Sequence, residues 1–64
     1  MREQLKAIHA VVHRGDHFEC DVTIRFETGD ERCSYIARRN DYAPVNQAII
    51  DAIDAKLVAV RQPQ

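Results

Sequence analysis

Strict alternation of apolar and polar side chains over residues 17–27 constrains the fold of this 64-residue chain more than any other feature. The apolar places in this segment are held by every second residue: Phe18, Cys20, Val22, Ile24 and Phe26. Successive side chains of a strand point to opposite faces of its sheet. The period of two therefore predicts a strand with one buried and one solvent-facing side.

The pair Gly29-Asp30 follows this strand and predicts a type II′ hairpin turn, because that turn favours glycine at its first central position. A chain folded at this point places apolar residues of the two strands opposite each other. The predicted pairs on the inner face are Phe26–Cys33, Ile24–Tyr35 and Val22–Ala37. A slip of one residue would oppose apolar and polar side chains, so pattern and turn together predict this register.

Residues 5–13 are predicted to form a strand that precedes the alternating one, joined to it by a three-residue loop at residues 14–16. In this register Ile8 faces Val22 on the inner side, and Val11 lies on the outer side. The segment carries little charge and would form one edge of a three-stranded sheet. Unpaired backbone groups at such an edge can accept another strand.

A helix over residues 2–14 is the alternative for the same segment, with Gly15 as the glycine that ends it. Its apolar residues also recur at helical spacing: Met1, Leu5, Ile8 and Val12. The matched register and the β-branched pair Val11-Val12 favour the strand.

The period changes to three and four in the C-terminal third, which predicts an amphipathic helix over roughly residues 42–58. Asn40 and Asp41 are candidate N-cap residues, and Pro44 fits the first turn. The apolar face comprises Val45, Ala48, Ile49, Ala52, Ile53, Leu57 and Val60. The polar side comprises Asn46, Gln47, Asp51, Asp54 and Lys56. The segment 57–60 is alternatively a short fourth strand.

Together these elements predict a single small α+β domain over residues 1–64. Its sheet is a three-stranded antiparallel meander, and one C-terminal helix packs on one face (βββα), with αββα as the alternative. Residues 61–64 are expected to form a loose tail. A domain of this size buries only about 60% of its unfolded surface, so association with another chain would add stability.

Charge and composition exclude several functional classes. Nine Lys and Arg against ten Asp and Glu give a net charge of −1, which provides no general attraction to nucleic acid or anionic membranes. No apolar run is long enough for a signal peptide or a membrane span, so a cytoplasmic location is expected. Both glycines fit turns and nothing places a histidine beside Ser34, so no phosphate loop or catalytic motif is predicted. We expect a protein that is not an enzyme and uses no cofactor.

Histidines and cysteines offer little further chemistry. His13 and His17 would be cross-strand neighbours in the predicted register, which permits only a weak two-ligand arrangement, so no metal site is predicted. Cys20 and Cys33 would both point inward but lie roughly 20 Å apart, too far for a disulfide. Both are therefore predicted to be buried free thiols.

The predicted sheet edges and the surface arginines are the candidate interaction sites. Five residues are predicted to bind a partner: Ile8, Val11 and Val12 at the N-terminal edge, and Arg38 and Arg39 beside the helix start. The partner would be another protein or a second copy, the latter in a homodimer through the predicted first strand. The alternative is a nucleic-acid-binding regulator that uses an arginine cluster: Arg25, Arg38 and Arg39.

An alternating segment, Phe-Glu-Cys-Asp-Val-Thr-Ile-Arg-Phe, precedes a helix start of the form Asp-x-x-Pro-Val-x-x-Ala-Ile within residues 37–53. The helix start comprises Asp41, Pro44, Val45, Ala48 and Ile49. This combination resembles small accessory or virion-associated proteins of tailed phages and prophages. The resemblance covers half of the chain and consists of structural residues, so it carries across no catalytic or binding residue. It implies a phage- or prophage-encoded protein, in the cytoplasm or associated with the virion. Where those proteins have a glycine after the helix, this chain has Asp54-Ala55-Lys56.

Overall fold

A computed structural model describes residues 3–62 of the chain. Within these residues, four strands and one helix follow one another: β1 (Gln4–Arg14), β2 (His17–Phe26), β3 (Gly29–Ala37), α1 (Pro44–Asp54) and β4 (Val60–Arg61). The first three strands form an antiparallel meander, and β4 pairs in parallel with β1. The strand order is β3-β2-β1-β4, and α1 packs on one face of this sheet.

These elements confirm the predicted α+β meander with a C-terminal helix on one face. The αββα alternative is wrong, because the N-terminal segment forms the strand β1. A short fourth strand does form, but at Val60–Arg61, so it shares only Val60 with the alternative strand at residues 57–60. Arg61 therefore belongs to the sheet and not to the tail expected at residues 61–64, of which Pro63 and Gln64 lie outside the described residues.

The hairpin between β2 and β3 keeps the predicted faces but not the predicted register. Its turn residues are Glu27 and Thr28, and Phe26 pairs with Gly29 instead of Cys33. Gly29 has a φ of +126°, which favours glycine, but it follows the turn and does not occupy its first central position. The partners are shifted by an even number of residues, from position 33 to position 29, which leaves every side chain on its predicted face.

The pairing of β1 with β2 differs from the prediction in a way that changes faces. Gly15 and Asp16 form a two-residue turn in place of the three-residue loop, with Gly15 at a φ of +68°. Near this turn, each β2 residue pairs with a β1 residue one position away from the predicted partner. Val11 therefore lies on the inner face, with 0% of its surface exposed. Further along the strand, a register shift after Ile8 restores the predicted pair with Val22.

The helix ends at Asp54, before the predicted end at residue 58, because the chain turns into a Schellman motif. The Leu57 N–H donates to the Ala52 carbonyl at 3.0 Å, and the Lys56 N–H donates to the Ile53 carbonyl at 3.1 Å. Lys56 adopts a left-handed φ of +58° at the position where helices usually have glycine. Leu57, which was predicted on the apolar face of the helix, is consequently 80% exposed.

The core lies between α1 and the inner face of the sheet. Its buried residues are Val11, Phe18, Cys20, Val22, Ile24, Ala37, Val45, Ile49 and Ile50. Alternate residues of β2 supply four of these, as the period of two predicts. The opposite face carries polar pairs, among them Arg32 and Asp21, which are joined by hydrogen bonds of 3.0 and 2.7 Å.

Candidate functional site at the open sheet edge

The two edges of the sheet differ in how much of their backbone is already hydrogen-bonded. β3 is paired with β2 on one side, and on its other side no strand lies within residues 3–62. Its register with β2 runs from Ala37 to Gly29 without a break. A long regular edge with unpaired N–H and C=O groups is a template for another strand. We therefore place the candidate site on the outer side of β3.

The opposite edge is better protected. β4 pairs with β1 at Val11 and Val12, so the prediction that β1 is a free edge strand is wrong for these two residues. Two register shifts also interrupt the rest of β1, between Leu5 and Ala7 and again after Ile8. Bulges bend and twist an edge strand, which hinders the addition of a further strand.

The three apolar residues of β1 that were predicted to bind a partner have different environments. Val11 is fully buried, and Ile8 is partly buried against the core. Val12 is also partly buried, but it lies on the open face of the sheet, where it pairs with Glu19. Partner binding by these residues stays a prediction, and Val12 is the one that reaches the open face.

A shallow depression on the open face adjoins β3. Its volume is about 230 Å³. The residues that line it include Ala10, Val12, Glu19, Asp21, Ser34 and Ile36. Ile36, a β3 residue, has 45% of its surface exposed. A strand added to β3 would therefore lie beside an exposed apolar side chain.

Charge is divided between the two ends of β3. Asp30 and Glu31 lie near its start, and Arg38 and Arg39 directly follow its end. The Glu31 side chain forms no ion pair with any residue in the described part of the chain. The Arg38 guanidinium is about half exposed, and its nearest carboxylate oxygen, on Asp16, is 3.9 Å away. The open edge thus presents an acidic end and a basic end.

Arg39 is held more firmly than Arg38. Its guanidinium donates hydrogen bonds of 3.1 and 2.9 Å to the Asp54 carboxylate and lies 5.8 Å from the centre of the Phe18 ring. These hydrogen bonds lower the pKa of the Asp54 carboxyl. The pair joins the segment after β3 to the last turn of α1.

Asn46 fixes the backbone at the end of β3. Its side chain is fully buried, although the sequence pattern placed it on the polar side of the helix. Its Oδ1 accepts from the Arg38 N–H at 2.9 Å, and its Nδ2 donates to the carbonyls of Arg38 and Asp41 at 2.6 and 2.7 Å. The Asp41 carboxylate accepts from the Ala43 N–H at 3.0 Å. Ala43 itself is the N-cap, so the predicted N-cap at Asn40 or Asp41 is wrong.

The structure does not bring the predicted arginine cluster together. Arg25 and Phe18 lie at opposite ends of β2, and Arg38 and Arg39 follow the residue that pairs with Phe18. Seven residues of strand separate these ends by roughly 23 Å. Arg25 also donates a hydrogen bond of 3.1 Å to Asp30, which offsets its charge. Nucleic-acid binding through these arginines stays a prediction.

The histidines make separate contacts. His13 stacks on Phe18 with ring centres 4.9 Å apart and hydrogen-bonds the Gly15 carbonyl at 2.8 Å. His13 pairs with Phe18 across the strands, so the predicted cross-strand pairing with His17 is wrong. His17 instead hydrogen-bonds Asp16 at 2.9 Å, which lowers the pKa of that carboxyl. Within residues 3–62, no three His, Cys, Asp or Glu side chains are grouped so that they could hold a metal ion.

The cysteines are closer together than predicted. Cys20 pairs with Tyr35 and Cys33 pairs with Val22, so the cysteines are diagonal neighbours on one face. Such neighbours are about 7–8 Å apart, and the predicted separation was wrong because the register is different. This distance still exceeds the usual reach of a disulfide, and both thiols are free. Burial raises the pKa of the Cys20 thiol, which makes it a weak nucleophile.

Comparison of the chain with protein-family models, with curated proteins and with solved structures finds no match. Within residues 3–62, no helix has the length and apolar character needed to cross a bilayer. Function is therefore inferred from the open sheet edge and its surroundings.

Proposed function

We propose that this chain is a small protein-interaction module without enzymatic activity, encoded by a phage or prophage, that binds a protein through the outer side of β3. The observation that carries the proposal is the uncovered and unbroken backbone of β3 beside the exposed side chain of Ile36. A strand added to such an edge gains main-chain hydrogen bonds, and its alternate side chains supply specificity. The phage origin rests on the resemblance of the alternating segment at residues 18–26 and the helix start within residues 37–53, and it implies a protein in the host cytoplasm or on the virion.

The surroundings of β3 support a protein partner. Arg38 is half exposed at one end of the edge, and its ion pair with Asp16 is long at 3.9 Å, so its guanidinium can also orient a partner. At the open face, Ile36 supplies apolar surface for a side chain of the added strand, whereas Val12 lies two strands away on β1, beyond Glu19. Asn46 keeps the end of β3 in place through buried hydrogen bonds, so the edge is preorganised.

A photoreactive amino acid in place of Ile36 tests this proposal in cells that produce the protein. We expect irradiation to give a covalent adduct with a second polypeptide, because residue 36 would touch the added strand. The matched control carries the same amino acid in place of Asp51, which is exposed on the helix. Adducts from position 51 alone, or from neither position, would contradict a binding role for the β3 edge.

A further inference from the structure

We propose that the strand bound by β3 is the β3 strand of a second copy of this chain, paired antiparallel across a two-fold axis at Ser34. This inference rests on the proposed role of the β3 edge and names its partner. In a two-fold pair the same edge is used by both copies, so each β3 is the strand added to the β3 of the other copy. It would extend the sheet of four strands into a continuous sheet of two such halves.

The charges along β3 favour an antiparallel second copy. Asp30 and Glu31 form the acidic end of the edge, and Arg38 and Arg39 form its basic end. Antiparallel pairing brings the acidic end of each copy to the basic end of the other, whereas parallel pairing would bring like charges together. The Arg38 backbone is already bound to Asn46, so Arg38 takes part through its side chain.

One register satisfies both the faces and the charges. A continuous sheet opposes residues that share a face, so the axis must pass through a residue of the strand. An axis at Ser34 places Asp30 opposite Arg38 of the second copy. Within the chain the Asp30 Oδ1 already accepts from Arg25 at 3.1 Å, so the Oδ2 is the atom that would accept from Arg38. It also places Ile36 opposite Arg32, whose aliphatic stem can cover an apolar side chain.

Neighbouring registers fit the same strand less well. An axis at Cys33 would place the charge of Asp30 opposite the apolar Ile36. An axis at Tyr35 would place Arg32 opposite Arg38, and like charges directly opposite each other destabilise a strand pair. The charge pattern therefore selects the axis at Ser34.

Two charge-reversal variants test the pairing, Asp30→Lys and Arg38→Glu. Each should weaken self-association about tenfold or more, because each homodimer would contain two like-charge contacts in place of two attractive ones. An equimolar mixture of the two variants should associate again. In the mixed dimer the introduced lysine of one chain faces the introduced glutamate of the other, and a native contact between Asp30 and Arg38 forms as well. Light scattering over a wide concentration range measures both effects.

Matched controls separate this edge from the rest of the surface. Asp51→Lys makes the same change of charge as Asp30→Lys but on the helix. Lys6→Glu makes the same change of charge as Arg38→Glu but on β1. Both controls should associate as the unaltered chain does. Loss of association in Lys6→Glu together with retention in Arg38→Glu would overturn the β3 interface.

Cysteine cross-linking tests the register itself. In a Cys33→Ala background, Ser34→Cys places two thiols directly opposite each other, within the reach of a disulfide. Ile36→Cys in the same background places them four residues out of register, roughly 13 Å apart. Mild oxidation should give a covalent dimer with Ser34→Cys and little with Ile36→Cys. The reverse order would overturn the Ser34 axis.

The outcomes separate this inference from the proposed function. A chain that stays monomeric at all concentrations, yet cross-links from residue 36 to a different polypeptide, overturns the second copy and leaves the β3 edge as the binding site. A monomer with no adduct from residue 36 overturns both proposals.

Discussion

Replacement of Asn46 by alanine should remove a large part of the stability of this domain. The carbonyl oxygens that Asn46 binds each keep another donor: the Asp41 N–H reaches the Arg38 carbonyl at 3.3 Å, and the Gln47 side chain reaches the Asp41 carbonyl at 3.0 Å. The Arg38 N–H, in contrast, donates to the Asn46 Oδ1 at 2.9 Å and loses this acceptor when the side chain is removed. Asn46→Ala therefore leaves a donor unpaired next to a fully buried site.

The expected size of this effect follows from two contributions. A donor left unpaired in the part-buried contact at Arg38 costs about 1 kcal/mol, at the low end for such groups. The shorter side chain also leaves a small cavity at a fully buried position, so we expect a total loss of about 2–3 kcal/mol in the free energy of unfolding. The total free energy of unfolding of a domain of this length is roughly 3–10 kcal/mol. Asn46→Ala should therefore shift the denaturation midpoint strongly or unfold the chain.

Urea denaturation followed by circular dichroism measures this loss. Gln47→Ala is the matched control, because Gln47 is the neighbouring amide, donates to the same Asp41 carbonyl and is not fully buried. We expect the control to lose no more than about 1 kcal/mol. If Asn46→Ala were as stable as Gln47→Ala, the reasoning that the buried amide holds the end of β3 would be refuted.

Three smaller effects are expected elsewhere in the chain. Lys56→Gly should stabilise the domain by about 0.5–1 kcal/mol relative to Lys56→Ala, because glycine adopts the left-handed φ without strain; equal denaturation midpoints would contradict this. Hydrogen bonds from Arg32 lower the pKa of the Asp21 carboxyl in the folded state. The pair therefore stabilises the fold fully at pH values above the unfolded pKa of about 3.9. This stabilisation is lost as the pH falls through the lower pKa of the folded state. In an NMR titration Arg32→Gln should raise the Asp21 pKa, and an unchanged value would disprove the link. A thiol reagent at pH 8 should label Cys33 faster than Cys20, whose pKa is raised by burial; equal rates in the native protein would count against the observed burial.

The architecture could be predicted from the sequence because it depends on periodicity. The alternation in β2 determines which residues face the core, and it survives any even shift of register. For that reason the buried residues Phe18 and Val22 were identified correctly while the turn at Gly29 was misplaced. Glycine supplies a positive φ on either side of a turn, so its presence alone does not locate the central turn residues.

The candidate site was harder to predict because it depends on departures from regular pairing. A one-residue difference at the Gly15 turn moved Val11 from the solvent to the core. β4 has only two residues. Its pairing with β1 depends on the position at which the chain leaves the helix, and no local sequence pattern encodes that position. The burial of Asn46 likewise depends on its backbone partners after β3. These tertiary effects protect the β1 edge and leave β3 as the open one.

Amide hydrogen exchange as a function of protein concentration shows directly whether β3 is the edge at which a strand is added. Unpaired amides on an edge strand exchange rapidly unless another strand binds them. We expect amides within residues 30–36 to become more protected over a roughly hundredfold rise in protein concentration, while those of β1 do not change. Concentration-dependent protection along β1, with none along β3, would contradict this expectation.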